Sequence, residues 1–107
     1  MLKVWISGAN GHLGQALCTR LDCEKYQLIA TDVAEVDVTV PAEVRAFADA
    51  NRPDVIINCT GFNDEDGCET DPDRAYRVNA LAPRNLALAA DALGAKMVQF
   101  STDDVFA

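Results

Sequence analysis

Hydrophobic and polar positions follow two rhythms along this chain. Short apolar runs occupy residues 2–7 (LKVWIS), 26–32 (YQLIATD), 54–59 (DVIINC) and 96–101 (KMVQFS). They are too short for helices and predict four strands. Between them, apolar residues recur every three or four positions. Leu13, Ala16, Leu17 and Leu21 predict a first helix from residue 12 to about residue 22. A second helix is predicted from Pro41 to about residue 51, with Thr39 as its cap and the proline in its first turn. A third runs through RAYRVNALAPRNLALAADAL, behind a Thr70 or Asp71 cap and Pro72. Pro83 should bend or split it, and Gly94 should close it.

Strands that alternate with helices imply parallel pairing through right-handed crossovers. Strands that are apolar on both sides imply a sheet covered on both faces. The expected fold is α/β, a Rossmann-like parallel sheet of about four strands in the order 3-2-1-4. The first two helices should share one face, with the third opposite them. Ligands of such sheets bind beyond the carboxyl ends of the strands, where the strand order reverses. Here that place is expected between the first and fourth strands.

Composition narrows the classes of function. The chain has 107 residues, enough for one domain, and half of them are hydrophobic. A net charge of −8 disfavours nucleic acid and anionic membrane surfaces as partners. An anionic ligand must then be held by local groups against the overall field. No run approaches the ~20 apolar residues of a membrane span, and the start lacks a signal-peptide layout, so a cytoplasmic protein is expected. Cys18, Cys23, Cys59 and Cys68 form no C-x-x-C pair and are expected as free thiols. The sequon at Asn58 is read as chance. Residues 63–73 (NDEDGCETDPD) carry six acids and no base. A calcium loop centred on Gly67 would need a carboxylate where Phe62 stands, so no metal site is expected. These acids suit the positive start of the third helix instead.

The candidate chemistry lies in SGANGHLGQAL, where Gly8, Gly11 and Gly14 are spaced G-x-x-G-x-x-G between the first strand and the first helix. Gly8 should let the chain turn off the strand. Gly11 should let a pyrophosphate approach the backbone, and Gly14 should let the helix pack closely on the sheet. The expected contacts are Gly8, Asn10, Gly11, His12, Leu13 and Gly14. Asp32 ends the second strand 18 residues past Gly14, where a carboxylate can accept from an adenosine ribose diol and repel a 2′-phosphate. No Lys or Arg follows in DVAEV, which favours NAD over NADP. Asp37 and Val38 are expected to flank the adenine. A methyltransferase fits less well, because the fourth strand leads into STDD and the glycine spacing suits a pyrophosphate.

Three blocks in order, GANGHLGQAL, TGFNDEDGCETDPDRAYRVNALAPRNLA and FSTDDVF, resemble the extended short-chain dehydrogenase/reductases, and within them the dTDP-4-dehydrorhamnose reductases. The resemblance spans nearly the whole chain. It implies hydride transfer from NADH or NADPH to the ketone of a nucleotide-linked deoxysugar. It also implies that Cys59, Thr60, Gly61 and Phe62 lie beside the pyrophosphate and adenosine, that Asn79 and Ser101 belong to the cofactor site, and that Thr102 is catalytic. In that family such a threonine works with a Tyr-x-x-x-Lys pair. Here Tyr26 and Tyr76 are followed four places on by Ala30 and Ala80, and Asp104 stands where the family usually has tyrosine.

The expectation is therefore a dinucleotide-binding half, residues 1–107, lacking the catalytic and sugar-binding half and inactive or nearly so alone. A non-catalytic nucleotide-binding or regulatory module of the same fold is the alternative. The outer edge of the fourth strand is expected to self-associate.

Overall fold

The computed structural model describes residues 1–9, 11–21, 24–59, 73 and 76–99. Strands β1 (Leu2–Ser7), β2 (Tyr26–Thr31), β3 (Val55–Asn58) and β4 (Lys96–Gln99) form one sheet in which every pairing is parallel. Helices α1 (His12–Arg20), α2 (Pro41–Asn51) and α3 (Ala82–Leu93) connect them, and a π-helical turn, Arg77–Leu81, leads into α3.

The strand order is β2-β1-β3-β4, which corrects the expected 3-2-1-4. It is β3, not β4, that lies beside β1, and the reversal falls between those two strands. The placement of the helices explains why. Leu17 and Cys18 of α1, with its C-cap Leu21, pack on Val4, Ile6 and Ala9 on one face. On the other face α2 and α3 lie against each other, and Val44, Ala48, Ala82, Leu86 and Ala90 close over Trp5 and Ile56. A right-handed crossover puts its helix on one face when the chain steps outward and on the other when it steps back. One helix against two therefore requires one step out to β2 and two steps back past β1. The expectation that the first two helices share a face is corrected with the order.

Trp5 draws the second crossover to its side. Its ring is fully buried and lies 4.6 Å, centroid to centroid, from Phe47 of α2 at an interplanar angle of 40°. Val36 and Val38, in the connection from β2 to α2, are buried in the same cluster. The connection thus carries the chain over the Trp5 face without forming a strand. The Trp5 indole N–H would be costly to bury unpaired, and it donates to Thr31 Oγ1 at 2.9 Å.

Pro83 splits the third helical run as its chemistry requires. Proline has no N–H to offer the carbonyl one turn back and crowds it sterically. The chain relieves this by widening residues 77–81 into a π-turn immediately before it. Gly94 ends α3 at φ 71°, the left-handed conformation that favours glycine.

Candidate functional site

The centre of the site is the turn from β1 into α1, where each glycine has a different reason to be there. Gly8 sits at φ 80°, a backbone state that side chains resist. Its N–H and that of Ala9 both donate to the Thr31 carbonyl at 2.9 Å, which ties the turn to the end of β2. A Cβ on Gly14 would collide with the Gly8 carbonyl oxygen and come within 2.6 Å of Ala9 Cα. Gly14 is therefore demanded by the close approach of α1 to the loop. Gly11 is demanded by neither. Its backbone is extended (φ −74°, ψ 171°), and a Cβ there would meet only Gly8 O at an ordinary 3.5 Å.

Gly11 is the N-cap of α1, so the helix starts with no side-chain cap and no acid in its first turn. Gln15 N–H closes the first turn on Gly11 O at 2.9 Å. The amides of His12, Leu13 and Gly14 are the donors that a helix leaves without intrahelical partners. Together they give this end a partial positive charge suited to an anion.

Asp32 follows directly from Thr31, so it lies at the flank of the loop. Its Oδ1 accepts from Val33 N–H at 2.8 Å, its N–H donates to Glu35 Oε1 at 2.7 Å, and its carbonyl accepts from the amides of Glu35 and Val36. The connection to α2 is similarly fixed. Asp37 Oδ1 accepts from Thr39 N–H at 3.0 Å and Thr39 Oγ1–H at 2.6 Å, and Asp37 N–H donates to Glu43 Oε1 at 3.0 Å. The expected Thr39 cap of α2 is thus corrected. Val40 is the N-cap, with no side-chain bond, because the charged Asp37 acceptor takes the Thr39 hydroxyl. Val38 places its side chain in the core, and its carbonyl accepts from Asn85 Nδ2 of α3 at 3.0 Å.

On the other flank, Cys59 N–H donates to Ser7 O at 2.8 Å, so the chain leaving β3 starts beside Gly8. Burial, and secondarily the nearby Cys18, push the Cys59 thiol up to about 11, which leaves it protonated and weakly nucleophilic at neutral pH. Cys18 and Cys59 are free thiols, as expected of them. Thr31, Ser7, Asn58 and Gln99 align across all four strands at the carboxyl edge. The first three are buried, and Asn58 Nδ2 donates to Gln99 Oε1 at 2.8 Å. Among the described residues no buried side-chain nitrogen or oxygen lacks a partner. Sequence reasoning missed this row, because it exists only once the register is known.

The structure therefore brings Gly8, Gly11, Leu13, Gly14, Asp32 and Cys59, with the backbone of His12, to one edge of the sheet. Asn79 lies in the π-turn ahead of α3. Asn10, Thr60, Gly61, Phe62, Ser101 and Thr102 lie outside the described residues, as do Cys23 and Cys68. Sequence reasoning also missed Glu35; its place three residues after Asp32 could have signalled a turn-closing acceptor. A separate groove of about 680 Å³ lies between α2 and α3, lined by Pro41, Val44, Leu88 and Leu93 among others, and it shares no residue with the loop.

Residues 2–107 match the family described as the RmlD substrate binding domain. The chain belongs to this family. It is 38% identical over 104 residues to a dTDP-4-dehydrorhamnose reductase of Mycolicibacterium smegmatis, a match covering 97% of this chain and 31% of that protein. It is 35% identical over 106 residues to the spore coat polysaccharide biosynthesis protein SpsK of Bacillus subtilis, covering 99% and 38%. The crystal structure of a dTDP-4-dehydrorhamnose reductase from Clostridium acetobutylicum aligns with a TM-score of 0.87 at 41% identity, over 92% of this chain and 35% of that one. The same enzyme from Bacillus anthracis, solved in complex with NADP, aligns with a TM-score of 0.85 at 36% identity, over 91% and 35%. The chain spans about a third of the length of these curated relatives. The resemblance and the Rossmann-like α/β fold read from the sequence are both borne out, the strand order apart. Among the described residues no helix is long and apolar enough to cross a membrane.

Proposed function

We propose that this chain is the nicotinamide-dinucleotide-binding part of a cytoplasmic oxidoreductase that reduces the ketone of a nucleotide-linked sugar. One observation carries the reading. In a chain of net charge −8, α1 starts on a bare glycine with no cap and no acid, and Gly11 is needed there by neither backbone conformation nor packing. The residues present fit a dinucleotide. The first-turn amides of α1 would hold its diphosphate, and Asp32 would accept from the adenosine ribose. Asp37 and the backbone of Val38 would flank the adenine. Residues 59–62, Asn79 and Ser101 would complete the cofactor site, with Asn10 beside the loop. The cofactor supplies hydride when bound. The NADP present in the Bacillus anthracis relative supports the cofactor class, while Asp32, followed by no Lys or Arg in DVAEV, favours NADH over NADPH in this chain.

Thr102 is the one catalytic residue we assign, and it requires a tyrosine–lysine pair that these 107 residues do not contain. A chain without that pair would be inactive, or nearly so, and an outer β4 edge left unpaired would pair with a second copy. Calorimetric titration with NADH and NADPH tests the proposal. NADH should bind, more tightly than NADPH, and Asp32→Ala should weaken NADH at least tenfold. Absence of binding by either nucleotide to folded protein would leave only the fold.

A further inference from the structure

We propose that Asn85 is a positioning residue of the adenosine subsite, holding from α3 the peptide that sets the Asp37 carboxylate toward the adenine. The inference rests on the dinucleotide reading of the glycine loop and extends it.

Asn85 stands where a helix packed on a core would ordinarily place an apolar side chain. Ala82, Leu86 and Ala90 of the same helix are buried in the cluster around Trp5 and Ile56, and Asn85 is buried with them. An amide is costly to bury unless it is hydrogen-bonded. Asn85 Nδ2 donates to the Val38 carbonyl at 3.0 Å, across 47 residues of chain. So α3 reaches directly to the connection between β2 and α2. Val38 also sinks its side chain into the cluster that α3 covers. The residue is docked by side chain and main chain alike.

The bond matters because of the peptide it holds. The Val38 carbonyl and the Thr39 N–H are the two ends of one peptide unit, and that N–H donates to Asp37 Oδ1 at 3.0 Å. In a trans peptide the oxygen and the hydrogen point opposite ways. Asn85 therefore grips one side of the unit, and the Asp37 carboxylate rests on the other. Without the Asn85 bond the peptide can rotate, and the Thr39 N–H turns away from Asp37 with it. An ionised carboxylate accepts at both of its oxygens. Asp37 held in this way can still take a donor such as the adenine amino group. Asn85 thus acts on the base through Asp37 and does not touch it.

The test is calorimetric titration of wild type, Asn85→Leu and Asn85→Asp with NADH and with its hypoxanthine analogue. The analogue has a carbonyl oxygen where adenine has its amino group. Both substitutions nearly keep the size of the side chain and remove the donor. NADH affinity should fall about fivefold, as for a lost neutral hydrogen bond. Affinity for the analogue should stay within about twofold, so the preference for adenine collapses. Asp37→Asn should lower the same preference, and Asn85→Leu added to it should lower it no further, because both act through one carboxylate. An equal loss of both affinities in Asn85→Leu would overturn the proposal and leave Asn85 as a brace between α3 and the connection. An unchanged preference would overturn it too. A second measurement needs no variant to fold. In wild type the NMR signals of the Asn85 side-chain amide should shift on titration with AMP and stay in place with inorganic pyrophosphate. Signals that do not move in wild type saturated with AMP would contradict the proposal. Failure of wild type to bind NADH is a different result, and it removes the dinucleotide reading along with this one.

Discussion

Among the described residues, α1 and α2 begin differently. The start of α2 is satisfied by the protein itself. Pro41 has no N–H to leave unpaired, Glu43 places an acid in the first turn, and its carboxylate reaches back to Asp37 N–H. The start of α1 has none of these. Its N-cap is Gly11, its first turn holds no acid, and Gly14 brings it down onto the backbone of the loop. Both helices obey the same rules, and the contrast is what supports the proposal that the start of α1 is kept for a ligand while that of α2 serves the fold.

The comparison can be broken most severely at Gly14. Gly14→Ala drives a methyl into the Gly8 carbonyl and Ala9 Cα, and α1 must lift. Urea unfolding should show a loss of about 3 kcal/mol, since overpacking against backbone has little room to relax. A loss below about 1 kcal/mol would mean that α1 does not depend on this approach. The next effect is at α2. Glu43→Ala removes the acid and its bond to Asp37 N–H, and stability should fall by about 1 kcal/mol. Nucleotide affinity should be unchanged within about twofold in the same titration. Smallest is Thr39→Val, which removes the hydroxyl bond to Asp37 at a half-exposed position and should cost about 0.5 kcal/mol. If Glu43→Ala weakened nucleotide binding tenfold, the division of labour between the two helix starts would be wrong.

Much of this contrast was legible in the sequence. The four strands and three helices follow from apolar periodicity, and Pro83 and Gly94 act where their backbone chemistry predicts. The glycine loop was readable because its spacing falls between a strand and a helix. Strand order was not readable. Parallel strands that are apolar on both faces look alike in any order, and the order depended on which face Trp5 and the Val36–Val38 connection give to α2. Thr39 was misread because a nearby carboxylate competes for its hydroxyl, a contact that only the folded turn creates. The row from Thr31 to Gln99 needed the register, and Val38 turned out to face the core while its carbonyl meets Asn85.

The most direct measurement is on Gly11→Asp, taking stability and nucleotide affinity from the same sample. The backbone at Gly11 accepts any residue, and an aspartate there would cap α1 as side-chain caps normally do. The account predicts opposite signs: stability rises by about 1 kcal/mol, while NADH affinity falls more than tenfold. An aspartate that stabilises the chain and leaves NADH binding intact would contradict the claim that the open start of α1 holds the dinucleotide.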